Sequence, residues 1–110
     1  MVDEFERAMR LMRRHDPQVQ EHGFGLLADS AALHLPRLIE AFDTEPDIGI
    51  RRWLIELIAL ADDERALSVL EQSLQDDDES VRDWAVRGLQ RIGNREARVA
   101  LRRFRGEQVF

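Results

Sequence analysis

A chain of 110 residues that is 44% hydrophobic and 35% charged is long enough for one packed domain and too apolar for disorder. It has no cysteine, which excludes disulfides and thiolate metal sites, and all sixteen of its basic residues are arginine, which excludes catalytic and phosphate-binding lysines. A net charge of −6 opposes a general nucleic-acid coat and suits a basic protein partner.

The amino terminus is amphipathic without the apolar centre of a signal peptide, and no apolar run approaches the roughly 20 residues of a membrane span, so a cytoplasmic protein is expected. Residues 3–14 predict a helix with Phe5, Ala8, Met9 and Met12 on one face. His15-Asp16-Pro17 ends it, with Asp16 placed to cap the next helix. That helix, about 17–29, turns Val19, Leu26 and Leu27 inward with Phe24 alongside, and close packing accounts for Gly23 and Gly25. A break at Asp29 or Ser30 precedes a partner helix that buries Leu35, Leu38, Ile39 and Phe42. Pro36 pushes its start to about Leu35.

From Asp47 the pattern sharpens. Ile50, Trp53, Leu54, Leu57, Ile58 and Ala61 recur at i, i+3, i+4, i+7, i+8 and i+11 on a helix that Asp47 caps. Asp62-Asp63 ends it and caps a helix with Ala66, Leu67, Leu70 and Leu74 inward. Val81, Trp84, Ala85, Gly88, Leu89 and Ile92 repeat the series until Gly93, a C-cap, after which Asn94 opens a last helix buried through Ala97, Ala100, Leu101 and Phe104. The two blocks superpose at a shift of 31 residues, since Asp47, Arg51, Trp53, Ala66 and Leu70 match Asp78, Arg82, Trp84, Ala97 and Leu101. Asp16, Val19, Leu26, Leu27 and Ile39 hold the same register one unit earlier, the divergence expected at the end of a repeat array.

The segments IRRWLIELIALADDERALSVL (50–70) and VRDWAVRGLQRIGNREARVAL (81–101) resemble HEAT repeats, specifically the short kind first noted in phycobilisome lyases. The resemblance implies an all-α, right-handed, armadillo-like solenoid of about seven helices in a single domain spanning 1–110. Its parts are a capping helix 3–14, repeats of about 16–45, 46–76 and 77–105, and a frayed tail 106–110. It also implies that Asp47 with Arg51, and Asp78 with Arg82, form the Asp/Arg ladder that joins neighbouring units. Trp53 and Trp84 stand where the family usually has alanine, and they are either added core volume or a pair of aromatic anchors.

Such repeats serve as scaffolds, inhibitors, bacterial immunity proteins, chromophore lyases and metal hydroxylases, so fold leaves function open. The hydroxylases use His-Glu dipeptides, whereas this chain has only the reversed Glu21-His22 beside His15 and His34, and no metal or other cofactor is expected. The acidic runs 62–64 and 76–79 read as helix starts rather than as an acid/base pair. The leading expectation is therefore a non-enzymatic, protein-binding module, with an immunity or inhibitor role as its sharper form. Lyase-like or hydroxylase-like chemistry is the enzymatic alternative. Nucleic-acid binding through Arg95, Arg98, Arg102, Arg103 and Arg105 is another alternative.

The expected binding surface is the wall of second helices. Glu40, Glu71 and Arg102 form one row on it, Ala41, Gln72 and Arg103 the next, and Arg37, Gln75 and Arg98 flank them. Phe104, Val109 and Phe110 lie where no further repeat covers them, which predicts self-association or a folded-back tail at the carboxyl end.

Overall fold

Aspartates write most of the helix starts. In the computed structural model, which describes the backbone of residues 3–109 and the side chains of 3–106, the helices are α1 (Glu4–Met12), α2 (Pro17–Ala28), α3 (Leu35–Thr44), α4 (Ile48–Leu60), α5 (Leu67–Ser73), α6 (Glu79–Ile92) and α7 (Arg95–Val109). Asp3 accepts from the Glu6 amide at 2.8 Å, Asp16 from Gln18 at 3.0 Å, Asp47 from Ile50 at 3.0 Å and Asp78 from Val81 at 3.0 Å. Asn94 does the same for Ala97 at 2.9 Å. Each such cap satisfies an amide that the helix itself leaves unpaired and is worth about 1 kcal/mol.

The second helices of the first two hairpins start differently. A 3₁₀ turn, Ala31–His34 or Glu64–Ala66, feeds α3 and α5, and Pro36 falls in the first turn of α3, where its missing N–H costs nothing. At the opposite end of the first helices, Asp62 (φ 49°) and Gly93 (φ 63°) both adopt the left-handed conformation that terminates α4 and α6, and they are 31 residues apart. The Asp63 carboxylate then accepts from the Arg65 amide at 2.8 Å, and Arg65 reaches back to the Ala32 carbonyl at 3.0 Å, tying the second hairpin to the first.

The first helices pack in sequence, α1 on α2, α2 on α4 and α4 on α6, while α3, α5 and α7 pack against α4 and α6 as a second layer. One contiguous core runs from Phe5, Met9 and Met12 through Leu27, Leu38, Leu54, Leu57 and Ile58 to Leu70, Leu89 and Leu101. Among the described residues there are no strands, and the molecule measures 48 × 24 × 21 Å, the elongated form of a solenoid.

Several expectations are corrected by packing. Ile55, Ala59 and Val69 are buried although they lie off the expected stripes, because α4 packs against α2, α3 and α6 at once and α5 against both α6 and α7. Close packing explains only one of the two glycines in α2. A Cβ on Gly23 would stand 2.7 Å from the Ala8 carbonyl oxygen, whereas a Cβ on Gly25 meets nothing within 4 Å. The expected tail from 106 onward is helical to Val109; Phe110, and the side chain of Val109, lie outside the described residues. Phe104 is half-buried against the core, as are Trp53 and Trp84, so the tryptophans are neither wholly core nor wholly surface.

The Asp/Arg ladder exists with different rungs. The Asp47 and Asp78 carboxylates cap their own helices, and neither pairs with the arginine four residues on. Instead Arg51 reaches forward to Asp76 at 3.0 Å, Arg52 takes Asp78 in a bidentate pair at 2.7 and 3.1 Å, and Arg82 donates to the carbonyls of Asp76 and Asp77. One unit earlier the equivalent acid, Glu45, is taken by an arginine from outside the 31-residue register, Arg13, with Nη1 to Oε2 at 3.2 Å and a second bond from Nη2 to Oε1. Glu45 and Asp76 are 31 residues apart, and each also accepts from the amide two residues on, at 3.1 and 2.9 Å.

Candidate protein-binding surface

Glu40, Glu71, Gln72, Gln75, Arg98, Arg102 and Arg103 are all exposed on α3, α5 and α7 or at their ends, the layer opposite the first helices. α5 and α7 lie side by side and leave a shallow groove of about 340 Å³ between them, lined by Glu71 from α5 and by Arg95, Glu96, Val99, Ala100 and Arg103 from α7. Glu71 and Arg103 are thus brought together, in a strip that alternates charge with a small apolar floor. Arg98, Arg102 and Arg105 do not line the groove; with Arg95 at its edge they make one stripe at i, i+3, i+7 and i+10 spacing.

Arg37 has a structural duty. Its guanidinium donates to Asp3 at 2.8 Å, stands 3.8 Å from Glu6 and lies 4.4 Å over the Phe5 ring, clamping α3 to the start of α1. Asp3 is held below the usual carboxylate range by the Glu6 amide first and by Arg37 second. Arg98 donates to the Gly93 carbonyl at 3.2 Å, closing the turn between α6 and α7. Gln75 is exposed beyond the end of α5.

Charge is distributed unevenly over this layer. Among the described residues the arginines in ion pairs are Arg13, Arg37, Arg51, Arg52 and Arg65, and none of the five arginines of α7 lies within 4 Å of a carboxylate. The basic end of the wall thus carries no ion pair among the described residues, while Glu40 and Glu71 stand at its acidic side.

The first-helix layer holds a second cavity, of about 510 Å³, that the repeat pattern did not point to. Arg13 and His15 come to it from the end of α1, Asp47 from the turn before α4, and Ile50, Arg52 and Trp53 from α4 itself. The only legible signal for it in the sequence is the meeting of a tryptophan with an arginine in a first helix. His22 is exposed on α2, and His34 packs 6.0 Å from Phe5 with Glu4 3.9 Å away, so the three histidines are brought to different places.

A family model for HEAT repeats matches residues 35–108, which is α3 through nearly all of α7. The chain is a HEAT-repeat protein. No curated protein and no solved structure matches it. The match leaves α1 and α2 outside, the part of the HEAT array in which the 31-residue register is also weakest, while its five matched helices include both walls of the α5–α7 groove. HEAT repeats commonly mediate protein interactions, and no described helix is long and apolar enough to cross a membrane.

Proposed function

We propose that this HEAT-repeat chain is a non-enzymatic module that captures another protein on the wall formed by α3, α5 and α7. The observation that carries the proposal is the polarity of that wall. Glu40 and Glu71 are exposed at one side, and five arginines without carboxylate partners among the described residues are exposed on α7 at the other. A surface graded in this way orients a partner of opposite gradient and speeds its arrival more than it raises final affinity. A compact partner held across the wall would have its own active face covered, which is how the module would act as a cytoplasmic inhibitor or immunity protein.

The test is capture from the native cell with the wild-type chain and with a Glu71→Arg, Gln72→Arg variant. Both side chains are exposed, so the variant keeps the helical circular dichroism and melting temperature of the wild type. The proposal expects the captured partner to be lost; retention of the same partner rejects the wall.

The arginines of α7 support one second reading, contact with nucleic-acid phosphates. Duplex binding that survives physiological salt and weakens steeply with added salt would favour it over protein capture.

A further inference from the structure

The cavity in the first-helix layer has the composition of an anchoring site. Met12 and Ile50 are buried at its base, and Trp53 offers a half-buried indole whose other side packs on Phe24 at a centroid distance of 5.9 Å. Gly49 keeps the mouth free of side chain at the first turn of α4.

Two arginines open onto this floor, and both are held from behind. The Arg13 side chain is 50% exposed while its partner Glu45 is 4% exposed, and Arg52 is 46% exposed against 16% for Asp78. Each pair thus buries its carboxylate and turns its guanidinium outward, so the pair presents a positive end without being a net charge. Bidentate geometry also fixes the guanidinium planes, and a side chain that is already immobile loses little entropy when a ligand reaches it. His15 adds a further exposed nitrogen donor at the rim, while the Asp47 carboxylate, also on the lining, is turned to the Ile50 amide at 3.0 Å.

Indole and guanidinium, which this recess brings together, are the side chains that dominate interface hot spots. We propose that this cavity is a second recognition site, for a segment of a partner polypeptide that lays an aliphatic or aromatic side chain on Trp53 and sets an Asp or Glu carboxylate against Arg13 and Arg52. Its inference rests on the reading of the chain as a protein-binding module but uses a different surface from the α5–α7 wall. A single-stranded nucleic acid could also stack on an indole, but the aliphatic base of the recess and a chain of net charge −6 favour the peptide.

The chain has two tryptophans and no tyrosine, so Trp84→Phe leaves Trp53 as the sole indole reporter. In that background the acetylated and amidated tetrapeptide Glu-Leu-Phe-Glu should shift the Trp53 emission saturably below about 1 mM. The Lys-Leu-Phe-Lys peptide should bind at least tenfold more weakly. Arg52→Gln should weaken the acidic peptide to the same degree, and so should His15→Glu, which breaks no ion pair and keeps the melting temperature. The proposal is overturned by no saturable shift, by equal response to the two peptides, by indifference to both substitutions, or by preferential binding of a single-stranded oligothymidylate. Loss of peptide binding in the Glu71→Arg, Gln72→Arg variant would move the peptide to the wall and reject the cavity while leaving the protein-binding reading intact.

Discussion

Glu45 shows most plainly what a single residue does in this stack. Its carboxylate is nearly inaccessible, receives two bonds from Arg13 and one from the Asp47 amide, and thereby joins the end of α1 to the start of α4. Arg13, more than the Asp47 amide, holds its carboxyl below the usual glutamate range, against the opposing effect of burial. A carboxyl that ionises more readily when folded stabilises the fold fully above its unfolded value of about 4.3 and loses that contribution as pH falls through the folded value. Glu45→Ala should therefore cost about 1–3 kcal/mol at pH 7 in chemical denaturation, and the cost should shrink as the pH is lowered below about 4.

Asp62 makes the opposite case. It occupies the left-handed position that glycine fills at 93, and Asp62→Gly should raise stability by about 0.5–1 kcal/mol, read as a higher denaturation midpoint with an unchanged slope. The caps at Asp16, Asp47, Asp63 and Asn94 were legible because capping is local chemistry. The partners of Arg13, Arg51 and Arg52 were not, because they depend on how helices lie beside one another, although the acid shared by positions 45 and 76 was a signal open to reading.

The elements were legible through periodicity, and their packing only in part. The i, i+3, i+4 series located α4 and α6, and Pro36 located the start of α3, yet Ile55 and Val69 escaped because a stripe drawn for one buried face underestimates a helix covered on several. The two glycines of α2 separate packing from propensity. Gly23→Ala places a methyl against backbone atoms of α1 that cannot rotate aside, the Ala8 oxygen at 2.7 Å and the Met12 nitrogen at 3.0 Å. It should destabilise the chain by about 1–3 kcal/mol. Gly25→Ala meets no atom and gains helix propensity, so it should stabilise by about 1 kcal/mol. Thermal melts of the two variants moving in the same direction would contradict this account of the α1–α2 contact.

At the scale of the whole molecule, a narrow body 48 Å long carries two recesses on different layers, one between second helices and one among first helices. Register-equivalent positions of a solenoid line up in rows, and the polar residues expected on the wall are exposed, Arg37 included although it also clamps α1. The first-helix cavity was not legible, since it joins residues of α1, α2, α4 and the intervening turns that no single period connects. The claim that most needs deciding is that the partner lies on the wall. A photo-reactive side chain at Gln72, exposed on α5, should form a covalent adduct with the captured partner, and the same group at Gln90, exposed on α6, should not. Adducts from position 90 with none from position 72 would contradict it.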